Sequence, residues 1–131
     1  MTAFVDTNVL VRHLTGDPPD QAVRATTFLG VADDLLLADL IVAELAYVLG
    51  SVYKASRMQI ADSIRALLGH PPIRTVDRDL LLRTVEVYEH EGLDFPDAYL
   101  VASAERSGVG AIASFDRSID RIATVRRLEP D

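Results

Sequence analysis

The strongest constraint on this chain is an alternation: short apolar stretches trade places with longer helical patterns along its whole length. Ala3-Phe4-Val5 reads as a short buried strand running into a helix over Thr7 to Thr15. Pro18 to Ala32 is a second helix, with Pro-Pro at its start and Ala22, Ala25, Phe28 and Leu29 at helical spacing. Leu35-Leu36-Leu37 is a strand, after which Asp39 is placed to cap a helix from Leu40 to Tyr53, followed by one from Met58 to Leu68. Ile73 to Val76 is strand-like, and Asp77 precedes a helix reaching Glu91. Phe95-Pro96-Asp97 opens a helix that stops at Ser107-Gly108; Ala111 to Ser114 and Val125 to Leu128 are the last strands. Strands alternating with helices imply an α/β domain built on a parallel sheet. Active sites in such sheets form at the carboxyl ends of the strands.

The length of 131 residues suits one domain, expected to span 1–131, because the punctuation at Gly16-Asp17-Pro18-Pro19 and Gly69-His70-Pro71-Pro72 is short. The chain has no cysteine, which removes disulfides, thiolate metal sites and cysteine nucleophiles, and suits a reducing, cytoplasmic setting. No apolar run is long enough to span a bilayer, so no membrane partner is expected. The N-terminal residues do not read as a secretory signal. Acids outnumber bases by 20 to 13, giving a formal charge of −7. That balance argues against a nonspecific nucleic-acid coat, whose affinity comes from lysine and arginine. It leaves open an enzyme that meets nucleic acid through metal ions.

The acids themselves are oddly placed. Asp6 follows the first strand directly and Asp116 follows the strand ending at Ser114, and each is also a plausible helix cap. Asp97 falls in the first turn of its helix, beside the positive end of the helix dipole, where acids are common for structural reasons. Glu44 is the only charge between Leu40 and Leu49, in a segment apolar on nearly every face and so expected to be buried. A carboxylate there is costly unless it meets a cation or good donors; its ordinary alternative is a narrow exposed stripe. Asp120 reads as solvated or paired with Arg117 or Arg121. Each acid has a dull explanation, but four on separate elements would converge on one rim of a single parallel sheet. Like charges that close need cations between them. Oxygen-only ligands suit magnesium or manganese, which activate water in phosphodiester hydrolysis. Setting these four acids aside removes more than half of the excess negative charge.

Other features are less specific. Arg12 and His13, near the end of the first helix, are candidates to hold a nucleic-acid backbone, or are simply basic residues near a helix C-terminus. His70 and His90, in or beside turns, are expected at the surface, and the four tyrosines in core or interface. No glycine-rich phosphate loop is present.

Phe4-Val5-Asp6-Thr7-Asn8-Val9-Leu10, Glu44 in its apolar helix, Phe95-Pro96-Asp97-Ala98-Tyr99 and Ser114-Phe115-Asp116 together resemble PIN-domain ribonucleases. In length and layout the chain resembles the VapC-type toxins of bacterial type II toxin–antitoxin pairs. The resemblance covers essentially the whole chain. It implies a three-layer α/β/α fold with a parallel sheet of about five strands and a Mg²⁺- or Mn²⁺-dependent endoribonuclease. Asp6, Glu44, Asp97 and Asp116 match the acidic quartet by position, with Asp6 and Asp97 as direct metal ligands and Glu44 and Asp116 acting directly or through water. Thr7, Asn8 and Ser114 match small polar supports, and Asp94 an acid near the site in some members. An RNA substrate, a homodimer and an antitoxin covering the active-site groove are further implications. Two rival readings stand beside this one. A haloacid-dehalogenase-like phosphotransferase would use Asp6 as nucleophile, yet wants a second aspartate where Asn8 stands. A catalytically inert PIN-like binding module is the other. A receiver-type domain would want a lysine near the last strand, and the only lysine is Lys54.

Overall fold

The computed structural model describes residues 1–131, which gather into two compact units, Met1–Arg78 and Asp79–Asp131. In the first, β1 (Thr2–Phe4), β2 (Asp34–Leu36) and β3 (Ile73–Arg74) form a sheet in that order, both pairings parallel. Parallel neighbours cannot be joined by a tight turn, so each step along the sheet needs a crossover. Helices α1 (Thr7–Thr15) and α2 (Pro19–Val31) supply the first crossover, and α3 (Asp39–Ser51) and α4 (Arg57–Leu68) the second. The ladder runs slightly past the strands: Val5 N–H donates to the Leu36 carbonyl and Leu37 N–H to the Arg74 carbonyl.

Side-chain periodicity fixes what each element buries. In α3, Val42, Leu45, Ala46 and Leu49 form one fully buried face at helical spacing. In β2, Leu35 and Leu37 point to the same side and are buried. Just past β1, Val5 is buried, but Phe4 within it is 74% exposed, so only part of the expected buried strand is covered. Successive strand side chains point to opposite faces, so Phe4 faces away from the buried Val5. Ser56 and Gln59 cap α4 reciprocally: the Gln59 amide donates to Ser56 Oγ at 3.1 Å, and the Ser56 amide to Gln59 Oε1 at 2.9 Å. Helix α3 starts at Asp39 itself, with Ala38 in the cap position, so Asp39 sits in the first turn beside the dipole rather than at the cap. His90 is exposed, as expected. His70 is half-buried because its Nε2 bonds the Leu29 carbonyl at 2.8 Å, tying the turn before β3 to α2.

The amino-terminal edge of this sheet is laced by Asp34. It accepts from Thr2 Oγ1 at 2.7 Å on one neighbouring strand and from the Arg74 guanidinium at 3.1 and 3.2 Å on the other. The Arg74 hydrogen bonds, with Thr2 helping, hold the Asp34 carboxyl below the usual range.

In the second unit, α5 (Arg78–Glu91) and α6 (Phe95–Ser107) precede a parallel pair, β4 (Ala111–Ala113) and β5 (Arg126–Leu128), joined through a 3-10 helix at Arg117–Arg121. Gly108 ends α6 in the left-handed conformation, φ 78°, a C-cap geometry that favours glycine. Leu81, Val85, Val101, Ala102, Ile112 and Ile119 belong to the core. Asp120 pairs with Arg127 at 3.0 Å rather than with Arg117 or Arg121, because Arg127 lies on β5 and also donates to the Ser114 carbonyl. The five strands sort into sheets of three and two, every pairing parallel, and the class is the α/β expected.

Glu105 is the most connected charge of this unit. Its two oxygens take Arg83 Nε at 2.8 Å and Nη2 at 2.9 Å, and it also accepts from Thr124 Oγ1. It therefore joins α5, α6 and the segment before β5. Arg83 is the main cause holding its carboxyl below the usual glutamate range. A carboxyl whose folded pKa is depressed contributes stability above its unfolded value, lost as pH falls. Glu105→Gln is expected to lower stability near neutral pH by about 1–2 kcal/mol, allowing for partial exposure of Arg83. The deficit should shrink as pH drops below the ordinary glutamate value of 4.5. Thermal melts of both proteins across that range check this, and a deficit that grows with acid would overturn it.

Candidate active site

Asp6 is the first residue beyond β1 and the N-cap of α1, with extended backbone at φ −90° and ψ 156°. Its Oδ1 accepts from the Thr7 amide at 2.8 Å, the only hydrogen bond its carboxylate makes within the chain. The carboxylate is exposed. Thr7 beside it is buried, and its Oγ1 has no hydrogen-bond partner. A buried hydroxyl left unpaired costs roughly 1–3 kcal/mol. Such a group next to an exposed carboxylate marks a place where a further polar partner belongs. Asn8 is exposed in the same turn. The contrast with Asp34 is direct: the acid at the amino end of its strand is satisfied by neighbours, and the acid beyond a carboxyl end is not.

Glu44 lies on α3, which packs against α1. It is exposed, on a stripe with Leu40, 78% exposed, and Tyr47, 71% exposed. The expectation of a helix buried on nearly every face is thereby corrected in favour of the exposed stripe, and Tyr47 is not in the core. Residues 40, 44 and 47 share one side of the helix, and two large apolar residues on the outward stripe disguise it in the sequence.

In the second unit the structure brings two of the named acids together. Asp97 stands in the first turn of α6, and Asp116 lies just past β4 as N-cap of the 3-10 helix. Their carboxyl groups lie close enough to shift each other's pKa. Asp97 is half-buried, and this burial, then Asp116, then the charge of Asp94 raise its pKa. Asp116 moves the other way, chiefly because Ser118 donates to its Oδ1 from both Oγ, at 2.7 Å, and the backbone amide, at 2.9 Å. The two acids are thus driven apart in pKa, Asp97 up and Asp116 down. Ser114 supports the turn by accepting from the Asp116 amide at 2.9 Å. Asp94 is the exposed N-cap residue of α6 and acts on Asp97 through its charge. Ser118 went unremarked as a support for Asp116; the Asp-x-Ser spacing of a helix cap was the available signal.

Within neither unit do three or more Asp, Glu or His side chains gather closely enough to hold a metal ion. The donor chemistry nonetheless fits a hard divalent cation. The Asp97 and Asp116 carboxyls lie close enough to act on each other, and Asp6 and Thr7 offer an exposed carboxylate and an unpaired hydroxyl. All of these donors are oxygens.

The family model of the PIN domain matches residues 3–125, and the chain belongs to the PIN domain family. PIN domains are typically metal-dependent nucleases. No curated protein matches the chain. Among solved structures, the crystal structure of VapBC2 from Rickettsia felis bound to a DNA fragment from their promoter is similar at 16% identity. The match covers 100% of each chain with a TM-score of 0.38, too loose a likeness to bear on structure or activity.

The raised pKa of Asp97 has a stability consequence. A carboxyl raised on folding is favourable while protonated, and its contribution is lost as pH rises through the folded value. Asp97→Asn removes the repulsion from Asp116 and is expected to raise the melting temperature in EDTA at neutral pH. That gain should vanish below the ordinary aspartate value of 3.8. An Asn variant less stable than the parent in EDTA at neutral pH would sink this assignment.

Proposed function

We propose that the chain is a divalent-metal-dependent endoribonuclease, the toxin of a type II toxin–antitoxin pair, hydrolysing RNA phosphodiesters in the cytoplasm. The observation that carries the reading is the Asp97–Asp116 carboxyl pair, one acid in the first turn of α6 and one just past β4. Membership of the PIN family supports a nuclease. The family match runs through both units without a break, which supports a single PIN domain over 1–131.

Asp6 and Asp97 are the residues to hold Mg²⁺ or Mn²⁺, with Glu44 and Asp116 contributing directly or through water. When bound, such an ion supplies an acidified water and offsets negative charge on the scissile phosphate. Ser118 and Ser114 keep the Asp116 turn in place. The amino ends of α1 and α6 bring positive dipole ends beside Asp6 and Asp97, which eases the crowding of negative charge. Water as nucleophile leaves 5′-phosphate and 3′-hydroxyl ends and makes no use of the RNA 2′-hydroxyl. A cognate antitoxin covering the active-site groove and a homodimer complete the reading, both implied by the resemblance to VapC-type toxins. No helix is long and apolar enough to cross a membrane.

Purified protein is expected to cut single-stranded RNA in Mg²⁺ or Mn²⁺ and to stop in excess EDTA. Asp6→Asn and Asp97→Asn should each reduce cleavage by at least about 10–100-fold while the far-ultraviolet spectrum stays that of the parent. Undiminished cleavage in EDTA, or a 2′,3′-cyclic phosphate product, would overturn the mechanism. Expression should arrest growth, and a neighbouring small open reading frame should relieve the arrest; growth unaffected by an active nuclease would remove the toxin role alone.

A further inference from the structure

An open groove of about 510 Å³ runs between α1 and α2 in the first unit. Asn8 and Arg12 line it from α1, and Gln21, Arg24 and Phe28 from α2. Residues 8 and 12 share one face of their helix, and 21, 24 and 28 one face of theirs, so the lining follows from helical spacing. Arg12 Nε donates to Gln21 Oε1 at 2.8 Å. That bond holds the guanidinium across the groove and leaves its terminal nitrogens, and the Gln21 amide nitrogen, with donors unspent. Arg24 is exposed and makes no hydrogen bond or ion pair within the chain. Neither arginine has a carboxylate partner, although acids outnumber bases 20 to 13 and Arg65, Arg74, Arg83, Arg106 and Arg127 are all ion-paired. Beside these two cations the Phe28 ring stands 44% exposed.

Two unneutralised guanidiniums, two side-chain amides and an open aromatic face match what a single nucleic-acid strand presents. Its phosphates pair with arginine, its bases stack on aromatic rings, and its base edges meet amides. The groove begins two residues from Asp6, and Arg12 lies about 9 Å from Asp6 along α1 at 1.5 Å per residue. A strand with its scissile phosphate at Asp6 passes over Arg12 within a few nucleotides. We infer that this groove binds the single-stranded RNA flanking the cleaved bond, Arg12 and Arg24 taking phosphates and Phe28 stacking a base. The inference rests on the nuclease reading and adds to it the form of substrate and the residues that grip it. An acidic peptide would engage the two arginines but brings no base to stack on Phe28.

Binding of a short, unstructured, fluorescently labelled RNA to the full chain in EDTA, measured across salt concentrations, separates binding from cleavage. Arg12→Ala and Arg24→Ala should each weaken binding and reduce the magnitude of the log–log salt slope by about 0.7. Phe28→Ala should weaken it about fivefold or more and leave the slope unchanged. Arg74→Ala removes the same charge from β3 and should match the parent, and melting curves confirm that each variant is folded. A parent that holds no RNA in EDTA at low salt, or Arg24→Ala and Phe28→Ala variants that hold it as the parent does, overturns the inference. Loss of poly-glutamate binding in those variants with RNA binding intact also overturns it, making the groove a protein-docking surface. A parent that binds RNA through these residues yet cuts none in Mg²⁺ supports the groove and removes the nuclease reading instead.

Discussion

Parallel strand pairing is the constraint on which the rest of the molecule depends. A strand laid parallel to its neighbour must be reached by a crossover, and in the first unit each crossover is a pair of helices. The first helix of a crossover begins where a strand has just ended. The residue at that junction meets the helix's unpaired amide groups and the positive end of its dipole. Asp6 occupies such a junction after β1, and Asp116 occupies the corresponding one after β4, ahead of a 3-10 helix. Carboxylates are stable there without a cationic partner, so the same geometry that builds the sheets also sets exposed acids at strand ends.

The acids divide by what surrounds them. Asp33, Asp34, Glu105 and Asp120 meet an ammonium or a guanidinium and act as structural ties. Asp97 meets another carboxyl, is half-buried, and retains its proton more readily than an ordinary aspartate. Partnered acids are ordinary architecture; an acid held against its own kind at a helix start opposes stability and calls for a functional explanation.

Much of the fold was legible in the sequence because its signals are local. Pro-Pro before α2, Gly108 after α6 and the apolar triplet of β2 each mark an element through backbone preference or periodicity over a few residues. Where the reading slipped, packing had decided. Glu44 stands in an apolar run and is still exposed, since burial on α3 follows the face that meets its neighbours and not average hydropathy. Phe4 is exposed for a similar reason. The Arg127 partner of Asp120 was hidden because β5 reaches Asp120 through sheet pairing, not through nearness in the chain.

By itself, the sequence determined the alternation of strands and helices, the parallel class, and the strand-end and helix-start positions of the acids, because each depends on neighbours a few residues apart. The tertiary structure alone decided which acids are partnered. It joined Asp97 to Asp116, left the Thr7 hydroxyl without a partner, and set Arg12 across a groove from Arg24 with no carboxylate for either. Charge and hydrogen-bond satisfaction depend on distances between elements remote in the chain, and only packing sets those distances.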